Sequence, residues 1–404
     1  MNPRHAPRSS RADPGGVTET PAPAELAAAA RESGHLAIDT EFVGEGRYRT
    51  LLCLVQVAAH DNGVPRVGVF DALDPGLDPA PLAEVLADPG VEVVLHAGRQ
   101  DVALLRRTWA TEVRGLFDTQ VAAAFAGLRA QAGYESVLSS VLGVRLRKTA
   151  SFTRWDVRPL SPEQLAYARA DVADLLPLAA ELQSRLQARG RLDWAREECR
   201  YLESVSDERD PEELFLRLPR IAGLDARTRA IARELVTWRE ATAAEADRPA
   251  NSILNDAAMV EVARRRPGSR ETLQEIRGIP AATLHRRAAE LLEAVERGRR
   301  APPRPAEKGR RSVPADEDAP LVALAEALVR ARALEEQLAY ELLATRAELQ
   351  AVVAFLREGG PEPETRALTG WRRELIGREL LELLSGQRSL TVRADRTLAI
   401  GRRT

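Results

Sequence analysis

Asp39 and Glu41, in the run His35-Leu-Ala-Ile-Asp-Thr-Glu-Phe42, are the residues from which a chemistry can first be argued. In an extended strand residues two apart share a face, so the two carboxylates project together while Ile38 and Thr40 face a core. Adjacent acids repel unless a proton, an arginine or a metal ion neutralises them. Hard oxygen ligands of this kind suit Mg²⁺ or Mn²⁺. The plain alternative is an edge strand with two solvated acids. Further acids follow, however. Asp101, in His96-Ala-Gly-Arg-Gln-Asp101, comes just after an apolar run and opens a helical one, where the helix dipole alone also favours an acid. Tyr167 and Asp171, four apart, share a helix face with Leu175 and Leu178. A carboxylate at a core-directed position needs a partner, and Arg158 or Arg169 would serve as well as a metal ion.

The elements that must position these residues are legible as periodicities. Strands are expected over 36–42, 50–59, 66–71, 91–96 and 113–117, with Asp61-Asn62-Gly63 as a hairpin signal. Helices are expected over 24–33, 81–87, 101–109 and 119–142, the last broken near Gly133. A polar, basic stretch over 145–159 reads as a loop. Ser161-Pro162-Glu163-Gln164 then opens a helix running to Leu186 with a kink at Pro177. Together these imply a small mixed sheet flanked by helices. Beyond it the pattern is purely helical, in units over 224–296 and 321–384, and it ends in an Arg-rich tail expected to be loose.

Length and composition bound the rest. A chain of 404 residues implies two to three domains. The net charge of -2 gives no global electrostatic case for a nucleic-acid partner. Lys148 and Lys308 are the only lysines, so Arg-rich stretches reflect general usage as much as local selection. Cys53 and Cys199 are too far apart in sequence to suggest a disulfide framework or a zinc site. No apolar run approaches about eighteen residues and no signal-peptide pattern opens the chain, so a cytoplasmic protein without a membrane partner is expected.

The acidic set resembles the three exonuclease motifs of the DEDD superfamily, tyrosine subclass, and most closely the ribonuclease D family. Asp39-Thr-Glu-Phe42, Leu54-Val-Gln-Val57, His96-Ala-Gly-Arg-Gln-Asp101, and Trp155-Asp-Val-Arg-Pro-Leu160 leading into Tyr167-Ala-Arg-Ala-Asp171 carry the likeness. Leu235-Val-Thr-Trp-Arg-Glu240 through Arg277-Gly-Ile-Pro280 is similar to the helicase-and-RNase-D C-terminal (HRDC) domain. The resemblance spans roughly residues 30 to 298, and the last helical unit resembles a second such domain only loosely. His96 and Arg99 stand where the wider superfamily often has Asn and an aromatic residue, and Ala173-Asp174 replaces a more usual aromatic-bearing step.

The resemblance implies an α/β fold: a ribonuclease H-like mixed-sheet exonuclease domain followed by two all-α helical (HRDC-type) domains. The implied division is a disordered tail (1–22), the exonuclease domain (23–206), an HRDC domain (207–298), a Pro/Arg-rich linker (299–320), a second HRDC-like domain (321–395) and a tail (396–404). It implies a metal-dependent 3'-5' exoribonuclease that releases nucleoside 5'-monophosphates, with two divalent ions (Mg²⁺ or Mn²⁺) as cofactor. Its partner would be RNA with a free 3' end, tRNA precursors by family likeness, and the protein would be a monomer. By the same likeness Asp39 bridges both ions, Glu41 and Asp171 complete the first site, Asp101 holds the second, and Tyr167 orients the attacking water. Phe42, His96, Gln100, Lys148 and Arg154 are the implied substrate contacts, with core packing the alternative for Phe42 and solvated loop charge for Lys148 and Arg154. The same chemistry on DNA and a non-catalytic RNA-binding scaffold are the competing functions.

Overall fold

The computed structural model describes residues 20–146, 154–305 and 316–402. Three strands, β1 (His35–Val43), β2 (Leu51–Asp61) and β3 (Val64–Asp71), form an antiparallel meander. On the other side of β1, β4 (Glu92–Leu95) pairs parallel to it and β5 (Leu116–Asp118) pairs parallel to β4, giving the order β3-β2-β1-β4-β5. Asn62 and Gly63 both adopt positive φ (50° and 77°), as a two-residue turn between antiparallel strands requires.

Alternation along the strands sorts two apolar layers. Leu36, Ile38, Val55 and Val57 face helices α1 (Pro23–Ser33), α2 (Ala80–Leu86) and α3 (Arg99–Trp109). Ala37, Ala58, Val94 and Phe117 face α4 (Thr119–Phe125), α5 (Tyr134–Leu142) and α7 (Leu175–Ala188). Helix α6 (Pro162–Ala173) lies against β1, β2 and β3, and α8 (Leu192–Glu203), which the periodicity did not suggest, packs beside β5. The mixed sheet flanked by helices is therefore as expected, while some boundaries move. The helix expected to continue from 161 to 186 is two helices, parted at Asp174. Pro177 explains the position of the break, because its ring would clash with the carbonyl four residues back, at Ala173, which ends α6.

The second unit comprises α9 (Pro211–Leu216), α10 (Ala226–Ala246), α11 (Ala250–Ile253), α12 (Asp256–Arg265), α13 (Arg270–Gln274), α14 (Ala281–Arg286) and α15 (Ala288–Arg300), closed around its own apolar cluster. The third comprises α16 (Ala319–Glu335), α17 (Tyr340–Leu343), α18 (Arg346–Glu358), α19 (Gly370–Arg372) and α20 (Arg378–Leu384). The expectation of a loose tail is corrected here. Strands β6 (Arg388–Val392) and β7 (Leu398–Arg402) form an antiparallel hairpin, so the third unit also carries strand. Asp395 turns the chain by accepting the Thr397 N–H (2.9 Å), and Leu390 and Ile400 pack on the helices. The tail expected over 1–22 lies outside the described residues up to residue 19, as do residues 306–315 of the linker and Lys148.

The third unit does not stand apart from the sheet domain. Its apolar residues belong to the same cluster as α4, α5 and α7. Trp371 stacks on Trp194 (ring centroids 5.0 Å) and meets Phe125 edge-on (5.1 Å). Arg372, almost fully buried, forks onto Glu198. The second unit instead grips the loop after β1. Arg47 pairs with Asp247 (2.7 Å), and the Tyr48 hydroxyl donates to Glu240 (3.2 Å).

Candidate active site

Asp39 and Glu41 emerge on the sheet face covered by α6, and the capping box at the start of that helix fixes what meets them. Ser161 Oγ accepts the Gln164 N–H (3.2 Å), the Gln164 side chain accepts the Ser161 N–H (2.9 Å), and Pro162 occupies the first turn. With the helix started there, Tyr167 and Asp171 lie one turn apart on the sheet-facing side. Ligand oxygens of Asp39, Glu41 and Asp171 all lie within 4.8 Å of one another. The Tyr167 hydroxyl donates to Asp171, and its ring sits 6.1 Å from that of buried Trp155.

Neither candidate arginine neutralises this cluster. Arg158 is committed to Asp71 through two hydrogen bonds and to the carbonyl oxygens of Trp155 (2.7 Å) and Cys53 (3.2 Å). Arg169 is exposed, and among the described residues no arginine pairs with Asp171. A donor set made wholly of carboxylate oxygens, close-set and without an internal counter-charge, fits a hard divalent cation.

Asp101 arrives from the opposite layer, in the first turn of α3, and lies outside the tight triad. Thr40, on the far face of β1 from Asp39, donates its hydroxyl to the buried Asp101 carboxylate. The loop before α3 is clamped by Asp118, which accepts from the N–H groups of Ala97 (3.0 Å), Gly98 (3.0 Å), Gln120 (2.8 Å) and Val121 (3.3 Å). Gly98 approaches Leu95 so closely that a Cβ would come within 2.2 Å of its side chain, which accounts for the glycine of the His-Ala-Gly sequence. Sequence reasoning missed both Thr40 and Asp118. The signal for Asp118 was present, an acid immediately before a helical run, where it caps α4.

Burial raises Asp39, Glu41, Asp101 and Asp171, and repulsion within the cluster adds to it at Asp39 and Glu41. Asp39 is pushed well above the usual range, first by burial and then by Asp101, Asp171 and Glu41. Glu41 rises to about 8 by burial, then by Asp171 and Asp101. Burial lifts Asp171 to about 7 against the opposing Tyr167 hydrogen bond, and lifts Asp101 to about 6 against that from Thr40. Tyr167 is itself pushed up by burial and then by Asp171, so its phenol keeps its proton at neutral pH.

The expected substrate contacts divide. Phe42 is half-buried and joins none of the apolar clusters of the described residues. A β-bulge lies beside it: Glu41 pairs with Leu54 but Phe42 with Leu52, which leaves Cys53 unmatched and re-aims the strand end. Gln100 is exposed, and Arg154 is exposed and paired with Asp156 (3.0 Å). His96 is held differently from the other three. Its Nε2 donates to the Ala132 carbonyl oxygen (3.1 Å) and its Nδ1 faces Thr119 Oγ (2.9 Å), so both ring nitrogens are engaged within the protein rather than offered to substrate. Beside it, Tyr134 (ring centroids 5.5 Å) points a largely buried phenol at Asp174, Asp171 and Asp39, another neighbour that spacing did not reveal.

Residues 15–187 match the 3'-5' exonuclease family, and residues 228–295 match the HRDC domain. Ribonuclease D of Granulibacter bethesdensis is 35% identical over 395 residues, covering 95% of this chain and 96% of that protein. Ribonuclease D of Gluconacetobacter diazotrophicus is 37% identical over 379 residues, 92% of either chain. The chain belongs to the ribonuclease D family. The crystal structure of Escherichia coli RNase D, described as an exoribonuclease involved in structured RNA processing, matches with TM-score 0.78 and 29% identity over 90% of this chain and 96% of that one. As a ribonuclease D, the protein is a 3'-5' exoribonuclease, built as a ribonuclease H-like domain followed by a helical region that contains an HRDC domain. The DNA-directed and scaffold readings are thereby set aside. No helix of the described residues is long and apolar enough to cross a membrane.

Proposed function

We propose that Asp39, Glu41, Asp101 and Asp171 hold two divalent cations, Mg²⁺ or Mn²⁺, and that the protein trims the free 3' ends of tRNA precursors. The observation that carries this reading is the convergence of Asp39, Glu41 and Asp171 to within 4.8 Å, with no arginine among the described residues paired to them. Cations bound there would supply stabilisation for the attacking and leaving oxygens of an in-line displacement. Asp39 belongs to the triad and also feels the charge of Asp101, so it is the carboxylate that would be shared if two cations bind. Tyr167 keeps its proton and, anchored on Asp171, orients the attacking water through its hydroxyl oxygen rather than acting as a base. Phe42, re-aimed by the bulge, offers a ring for the terminal base to stack on, an interaction worth roughly 1–3 kcal/mol. Gln100 and Arg154, both exposed, are further candidate contacts for the RNA. The protein acts as a monomer in the cytoplasm.

Timed digestion of a 3'-extended tRNA precursor, with product ends analysed and EDTA as control, tests the substrate and the chemistry together. Asp39→Asn and Asp171→Asn should each lower nucleotide release by roughly a thousand-fold, the equivalent of several kcal/mol of lost charge stabilisation, with circular dichroism unchanged. Near-normal Mg²⁺-dependent release by either variant would disprove the site.

A further inference from the structure

One buried polar side chain has no role in the site as described. Gln56, in the middle of β2, is 0% exposed, and neither its amide nitrogen nor its amide oxygen has a hydrogen-bond partner among the described residues. A glutamine amide can make four hydrogen bonds, and leaving a buried polar group unsatisfied costs about 1–3 kcal/mol. Every other residue from Leu52 to Ala59 on this strand is apolar, so a Leu or Val at 56 would be the unstrained choice. The cost calls for a partner that the metal-free arrangement of side chains does not provide.

Register shows where that partner lies. Gln56 pairs directly with Asp39 across β1 and β2, and with Val69 across β2 and β3. Directly opposed residues on antiparallel strands share a face, with Cβ atoms roughly 4.5–5.5 Å apart. Asp39 is therefore the one polar side chain in the row that crosses Gln56. The diagonal neighbours on β1 are Ala37 and Glu41, and the β3 partner is Val69, so the amide borders the carboxylate cluster.

We propose that Gln56 is a positioning residue for the cation site: its amide N–H, unpaired in this structure, donates to Asp39 when cations are bound and so holds the rotamer of that carboxylate. An ionised carboxylate accepts hydrogen bonds and donates none, and it has lone pairs to spare beyond those directed at cations. An amide donor on the sheet side holds the carboxylate plane without adding charge, which a lysine or arginine in the same place would do at the expense of cation affinity. Outer partners of this kind typically contribute 10–100-fold in metal affinity. The inference rests on the two-cation reading above.

The test uses the full chain, stripped of metal, with Mn²⁺ binding followed by electron paramagnetic resonance of the free ion and with melting temperatures taken with and without Mn²⁺. Gln56→Leu and Gln56→Met remove the amide and keep most of the volume. Each should weaken Mn²⁺ binding by about ten-fold or more, while the metal-free melting temperature is unchanged or higher, because the unsatisfied amide is gone. The Met variant carries the test if the branched Leu does not fold. Mn²⁺ affinity within about two-fold of wild type overturns the inference, whether or not the metal-free melting temperature falls, since a purely structural glutamine would show that pattern. A wild-type protein that binds no Mn²⁺ overturns the two-cation reading and this inference with it. Wild-type binding with unchanged variants overturns this inference alone.

Discussion

Asp171 illustrates how a single side chain separates two accounts of the same motif. Had Arg158 turned toward it, the helix would carry a buried ion pair; instead Arg158 is spent on Asp71, and the Tyr167 hydroxyl is what meets Asp171 among the described residues. That pairing makes Tyr167→Phe informative. The variant should lose about ten- to a hundred-fold in turnover, or roughly 1.4–2.8 kcal/mol, yet bind Mn²⁺ as wild type does. Wild-type turnover would remove the water-orienting role. The raised carboxylates also set a pH dependence. In the unfolded chain Asp and Glu ionise near 3.8 and 4.5, whereas in the folded, metal-free protein Asp101, Asp171 and Glu41 hold protons up to about 6, 7 and 8. The folded form thus binds more protons between about pH 4 and 8, and its stability falls as pH rises through that window. Melting curves of metal-free protein should show a melting temperature that declines with pH there, and Mn²⁺ should restore it most at the alkaline end. A rising trend would show that the cluster is not protonated as described.

At the scale of elements, the site is assembled by caps and clamps rather than by strands alone. The capping box at Ser161 sets the phase of α6, and Asp118 holds the loop that delivers Asp101. Asp118→Ala would leave several backbone N–H groups without their acceptor at a 2% exposed position, for a loss of about 2–4 kcal/mol in urea unfolding and a larger fractional loss of activity. An unchanged unfolding midpoint would show that the loop is held by other contacts. These elements also mark what a single sequence discloses. Asp39, Glu41, Tyr167 and Asp171 were legible because strand and helix periods place them on shared faces without reference to anything distant. Thr40 was assigned to the core because period two says only which way a side chain leaves a strand, not that α3 brings Asp101 to meet it. Gln56 lay inside a recognised run, yet its isolation is a property of packing. The break at Asp174 was displaced from Pro177 because a proline disrupts the turn before it. The C-terminal hairpin was lost in an Arg-rich stretch whose alternating Leu390, Val392, Leu398 and Ile400 are outnumbered by charge.

For the whole molecule, the two helical units have different relations to the catalytic domain. The HRDC-containing unit closes around its own core and meets the loop after β1 through the Arg47–Asp247 pair and through Tyr48, whose ring packs on that core while its hydroxyl donates to Glu240. The third unit shares its apolar core with the exonuclease domain. Trp371→Ala should therefore destabilise the exonuclease domain as well as its own unit, by about 3–5 kcal/mol, and a truncation before residue 316 should behave worse still. Limited proteolysis of the variant gives the readout. If the exonuclease fragment resists cleavage as in wild type, the two are not one cooperative body. The junction has a practical corollary. Of the five tryptophans in the chain, two, Trp194 and Trp371, lie face to face across this seam. Exciton-coupled dichroism from that pair would report the seam opening without any label.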